Sequence, residues 1–116
     1  MVRKSENVKS EVFEHKFNAP GSILVRSLVE CDAEMNGKGR VFAHTTLQPG
    51  CGIGYHIHKG ESETYYIYSG SGEFNDNGTI VPVSAGDVTF TPDGTCHGIL
   101  NTGAIPLELI ALILYN

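Results

Sequence analysis

The chain has 116 residues, 41% of them hydrophobic and 18% charged, the make-up of one small globular domain that leaves no room for a second and is too apolar for a disordered chain. Its net charge of −5 is unevenly spread: residues 1–40 carry seven cations and six anions, residues 41–116 one cation and seven anions. An acidic body of this kind lacks the clustered Lys and Arg that nucleic acid or an anionic membrane would need, so neither is expected as a partner, and a divalent cation suits it better.

The opening stretch, Met1 to Asn7, has no apolar segment behind its charges, so no secretory leader is expected. Three cysteines (Cys31, Cys51, Cys96), odd in number and unclustered, fit free thiols in a reducing cytoplasm. Residues 1–20 read as a polar arm that packs on the domain or on a partner subunit, with an edge strand at 12–17. After Pro20-Gly21, residues 23–29 (ILVRSLV) form the first strong strand. A polar loop through residues 34–39 reverses the chain.

From Val41 onward, strands recur every 8–12 residues with turn chemistry between them: 41–47, 54–58, 63–68, 73–74, 79–83, 88–91, 96–100 and 107–114. Fourteen glycines and the Asn77-Gly78 hairpin signal strengthen this all-β reading, and the spacing points to a sandwich or barrel. Asn77-Gly78-Thr79 is read as a turn rather than a glycosylation site. The last strand is apolar on both faces, since Leu107, Leu109, Ala111 and Ile113 alternate with Ile110, Leu112 and Leu114. A strand with one buried face does not need this, and the surplus predicts a second packed sheet or a subunit interface, of which a homodimer is the favoured expectation.

Two blocks carry the chemistry. In the first, Gly50 to Gly70, His56 and His58 sit two apart on a strand and so share a face, and Glu63 opens the next strand after a tight turn. In the second, Gly86 to Asn101, His97 starts another strand. Three imidazoles and a carboxylate suit one divalent transition-metal ion (Mn, Fe, Ni, Cu or Zn) better than Ca²⁺ or Mg²⁺. Open positions on such an ion would take water, O₂ or the oxygens of a small-molecule ligand.

These blocks resemble the two motifs of the cupin superfamily, in its small single-domain form. Gly50, His56, His58, Glu63 and Gly70 match every fixed position of the first motif (residues 50–70), and Gly86, Pro92, Gly94, His97 and Asn101 those of the second (86–101). The resemblance implies an antiparallel double-stranded β-barrel of jelly-roll type over residues 21–116, with the metal held by His56, His58, Glu63 and His97. By strand parity, Tyr65 and Ile67 share the face of Glu63, and Ile99 and Asn101 that of His97, as expected cavity-lining positions. The barrel serves dioxygenases, decarboxylases, isomerases and non-catalytic ligand binders alike, so fold does not choose the reaction. A metal-dependent enzyme acting on a small oxygen-bearing molecule is the first expectation, and a non-catalytic small-ligand module the alternative.

Tyr65 is the candidate catalytic residue, against the plainer role of filling the barrel wall. His44 could face cavity or solvent, and His15 is expected at the surface. Glu61 competes with Glu63 for the ligand role; the motif spacing selects Glu63, leaving Glu61 as a solvated turn residue. Cys96 neighbours His97, but adjacent strand residues face opposite ways, so it is expected to be a small buried hydrophobe. The glycines at 50, 52 and 54 do not open a helix and are no nucleotide loop.

Overall fold

In a computed structural model of the chain, residues 1–30 and 33–116 are described in full, and residues 31 and 32 only by their place in a short helix. The strands are β1 (Ser10–Glu14), β2 (Ser22–Ser27), β3 (Gly39–Leu47), β4 (Gly52–Ile57), β5 (Glu61–Ser69), β6 (Ser71–Asp76), β7 (Thr79–Ser84), β8 (Val88–Thr91), β9 (Cys96–Leu100) and β10 (Leu107–Tyr115). The helix is α1 (Cys31–Met35), between β2 and β3. A six-stranded sheet, β1-β2-β3-β10-β5-β8, faces a four-stranded one, β4-β9-β6-β7, with antiparallel pairing throughout. This is the jelly roll that the motif resemblance implies, and it agrees with the sandwich or barrel that the strand spacing predicts.

Alternation of side chains builds the core. Along β10, Leu107, Leu109, Ala111 and Ile113 are buried while the residues between them face outward, and on β5 Glu61, Glu63, Tyr65 and Ile67 point in. Leu107, Leu109, Ala111, Tyr65 and Ile67 close one cluster between the sheets with Ile23, Leu47, Phe74, Val83 and Ile99. Turn chemistry is where the sequence places it. Asn77 (φ 49°) and Gly78 (φ 104°) join β6 to β7 in the left-handed region, as a two-residue hairpin requires. Gly70 (φ 84°) needs its lack of a side chain for a second reason, because a Cβ there would press on the Pro106 carbonyl and the Leu107 backbone.

Three expectations are corrected. The polar stretch read as a loop begins as helix α1, anchored from a distance: Arg3 makes a two-point ion pair to Glu34 (3.1 and 2.7 Å), whose carboxylate also accepts from the Glu30 backbone N–H. A contact spanning about thirty residues leaves no local pattern; the chain then reverses at Asn36 and Gly37, both at positive φ. The edge strand lies at Ser10–Glu14, paired with β2, and not at 12–17, because His15, Phe17 and Asn18 adopt left-handed conformations that end it. Cys96 is half-buried rather than buried; Cys51 and Cys96 are free, and Cys31 lies outside the fully described residues. Among the described residues no helix is long and apolar enough to cross a membrane.

Leu109 is fully buried midway along β10, which bonds to both β3 and β5. Leu109→Ala should therefore lower stability by about 2–5 kcal/mol in urea denaturation, with an unchanged denaturant slope.

Candidate metal centre

Strand register assembles the site from both sheets. His56 on β4 lies directly opposite His97 on β9, and Glu63 on β5 lies opposite Thr91 on β8. His58, one residue past the end of β4, turns in the same direction as His56. The four side chains meet with one ligand atom each inside a sphere where all lie within 4.8 Å of one another. His58 Nε2 is 3.1 Å from His56 Nε2 and 3.0 Å from His97 Nε2, while Glu63 Oε1 is 3.0 Å from His58 Nε2 and 2.9 Å from His97 Nε2. An ion with bonds of roughly 2.0–2.1 Å sets adjacent ligands roughly 3.0–3.4 Å apart, so the spacing fits a first-row divalent cation.

The other ring nitrogens hold the imidazoles in place. His56 Nδ1–H donates to the Gly54 carbonyl (2.7 Å), and His58 Nδ1–H donates to Glu61 Oε2 (2.6 Å). With the hydrogen on Nδ1, the neutral ring presents its Nε2 lone pair to the centre. His97 Nδ1 shares a hydrogen bond with the Thr91 hydroxyl (2.8 Å), a group able to donate or accept. Rings pack around the imidazoles: Phe17 lies flat on His56 at 3.9 Å between centroids, and Tyr65 and Phe74 flank His97 at 5.1 and 5.6 Å. Lone pairs aimed at one point repel unless a proton or a metal cation stands between them, and this is the chemical test that the donor set passes.

Electrostatics agree with that reading. Burial alone would push the Glu63 carboxyl up, but hydrogen bonds from His58 and His97 and their charges outweigh it and hold its pKa at about 2. His58 is raised above the ordinary histidine value, first by its hydrogen bond to Glu63 and further by Glu61, against the opposing effect of burial. His56 is lowered, chiefly by burial. Burial pushes the Tyr65 phenol well above its usual value, and the neighbouring Glu63 carboxylate adds to the shift, so the phenol stays protonated.

The centre opens on a cavity of about 570 Å³ between the sheets, lined by His56, His58, Glu63 and Tyr65 together with residues of the N-terminal arm. Of the four positions expected by parity to line it, Tyr65 does, whereas Ile67 and Ile99 pack in the core. Asn101 is buried as a brace, donating to the carbonyls of Leu47 and Ile105 (both 2.9 Å). His44 faces outward beside Tyr68 and Glu108, and His15 is exposed.

Glu61 corrects a sequence expectation outright. It is 8% exposed, not solvated, and Arg40 grips it through two hydrogen bonds (2.7 and 2.8 Å) while it accepts from His58. Arg40 first, and then His58, hold its pKa below the usual carboxylate value. The available signal was parity, since Glu61, Glu63 and Tyr65 alternate on one strand and must share an inward face. Arg40 and Phe17 left no such signal, because they arrive from distant segments.

A cupin domain model matches residues 43–113, more than half of the chain. The oxalate-binding protein of Thermotoga maritima is 42% identical over 114 residues, 98% of this chain and 93% of that protein. The crystal structure of a predicted oxalate decarboxylase from Thermotoga maritima superposes with a TM-score of 0.94 at 40% identity, over all of both chains. A mannose-1-phosphate guanylyltransferase of Klebsiella pneumoniae is 26% identical over 92% of this chain, which spans only 21% of that longer protein.

Two outcomes follow from the geometry. Glu61→Gln should weaken metal binding about 10–100-fold in chelator competition, because His58 loses the carboxylate that fixes its tautomer and raises its basicity. In the metal-free protein, Glu63 contributes stability that is present above its ordinary pKa of 4.5 and lost as pH falls toward 2. Melting temperatures across that interval should fall more steeply for the native chain than for Glu63→Gln.

Proposed function

The chain belongs to the cupin family, and from that premise we propose that His56, His58, Glu63 and His97 hold one divalent transition-metal ion that binds a small dicarboxylate of the oxalate class. The observation that carries this reading is the convergence of four unshielded donor atoms at the wall of a cavity large enough for such a ligand. A bound ion of this kind supplies Lewis acidity toward carboxylate oxygens. The relative named for oxalate binding, alike over nearly the whole chain, supports the ligand class.

The cavity favours binding over turnover. Glu63 is committed to the imidazoles, and Glu61 to Arg40 and His58, so neither is free as a general base. Tyr65 supports a second reading, decarboxylation. A buried, protonated phenol beside the centre could deliver the proton that replaces carbon dioxide when the C–C bond of oxalate breaks, leaving formate.

Metal analysis of the purified chain should find about one transition-metal ion per subunit, lost in His58→Ala/His97→Ala. The loaded protein should bind oxalate in calorimetry, and the same samples assayed for formate separate the two readings. Absence of metal after reconstitution with Mn, Fe, Ni, Cu and Zn salts would defeat both.

A second copy of this chain is the proposed partner. The outer face of the six-stranded sheet exposes Leu24, Phe42, Tyr66, Val88 and Phe90, and β-register lines Phe42 up with Leu112, Thr64 and Phe90 in one row. An apolar face this continuous favours a symmetric partner. Sedimentation should show a dimer, and Phe42→Glu, a change at an exposed position, should shift it to monomer without loss of fold.

A further inference from the structure

The arm segment over residues 15–18 is strained in a way that its own sequence does not require. His15 (φ 50°), Phe17 (φ 52°) and Asn18 (φ 64°) all adopt left-handed backbone, a region that Asn and His enter more readily than other side-chain-bearing residues and that a bulky Phe avoids. Several contacts hold it there. The His15 N–H donates to the Gly21 carbonyl (2.8 Å), the Asn18 N–H donates to the His15 carbonyl (2.9 Å), and the Phe17 ring rests on His56. Strand β4 receives the segment at Gly54, where a Cβ would collide with the Phe17 carbonyl.

This conformation delivers Lys16 to the cavity wall. Its ammonium lies 4.3 Å from the Phe13 ring centroid and 5.4 Å from that of Phe17, which itself covers the metal-ligand candidate His56. Aromatic faces attract a cation without neutralising it or occupying its hydrogen-bond donors. Of the other lining cations, Lys9 lies 3.5 Å from Glu30, Arg40 is paired with Glu61, and Lys59 is exposed to solvent, which leaves Lys16 as the half-buried one without a carboxylate partner. Lys16 is half-buried and has no carboxylate within ion-pair distance among the described residues.

We propose that Lys16 is the anion-recognising residue of this cavity, binding the carboxylate of a small dicarboxylate that faces away from the His/Glu centre, and that the 15–18 segment serves to hold it there. The inference rests on the dicarboxylate reading above and adds the residue that makes the site selective. A ligand with one carboxylate satisfies one end of such a site, whereas a ligand with two satisfies both, so the lysine converts charge number into affinity.

The test is calorimetry on the metal-loaded full chain with oxalate, malonate and acetate, using the native protein, Lys16→Met and Lys16→Arg. Lys16→Met should weaken at least one of the two dicarboxylates about 10–100-fold, leave acetate within about twofold, and be largely rescued by Lys16→Arg. Metal content and the melting temperature of the metal-free protein should match the native chain. Unchanged dicarboxylate affinity in Lys16→Met, or an equal loss for acetate, would overturn the role of Lys16 while leaving the ligand class intact. If the native protein binds neither dicarboxylate, the ligand class itself fails and the role of Lys16 with it.

Discussion

Three imidazole nitrogens and a carboxylate oxygen pointed at one another across about 3 Å are the arrangement on which the rest of this structure depends. Electron pairs so placed repel, and burial removes the water that would separate them. A folded chain keeps such a group only if something positive stands at its focus. In the metal-free protein that role falls to a proton between His58 and Glu63, whose hydrogen bond raises the imidazole pKa and, against burial, lowers that of the carboxyl. A divalent cation would do the same work by displacing that proton, and the fixed Nδ1 hydrogen bonds of His56 and His58 keep their Nε2 lone pairs turned toward the centre.

Much of the surrounding architecture can be understood as support for that focus. The candidate ligands come from β4 and the residue just past its end, from β5 and from β9, so neither sheet alone contains the site, and any slip in register would carry an imidazole to the solvent face. The hydrophobic cluster formed by β10 and β5 holds the sheets at the separation the donors need, and aromatic rings on His56 and His97 remove rotamer freedom that hydrogen bonds leave. Arg40 extends this support outward, since without its charge Glu61 would be a second buried carboxylate competing for the same protons. The result is a chain of fixed groups running from the surface to the centre: Arg40, Glu61, His58, Glu63.

Legibility in the sequence was uneven, for reasons tied to particular residues. His56, His58, Glu63 and His97 stood out because they obey short fixed spacings within strands and turns, and a period of two converts spacing into facing. The hairpin at Asn77-Gly78 and the alternation along β10 were equally plain. Glu61 was misjudged because its position beside a turn suggested solvent, although parity with Glu63 placed it inward. Helix α1 and the displaced edge strand were missed because both are set by contacts to remote partners, Arg3 in one case and the left-handed turn packed on β4 in the other.

Sequence alone therefore determined the all-β class, the strand rhythm and the residues that meet at the candidate metal centre, since each depends on neighbours a few positions apart and on the fixed geometry of extended backbone. Tertiary structure decided what surrounds them: the Arg40 and Glu61 brace on His58, the Phe17 ring on His56, the lysine at the cavity wall and the outward turn of His44. Those contacts join segments that are distant in the chain, and distance in sequence carries no periodicity from which a contact can be read. It is packing between the sheets and the arm that brings them together.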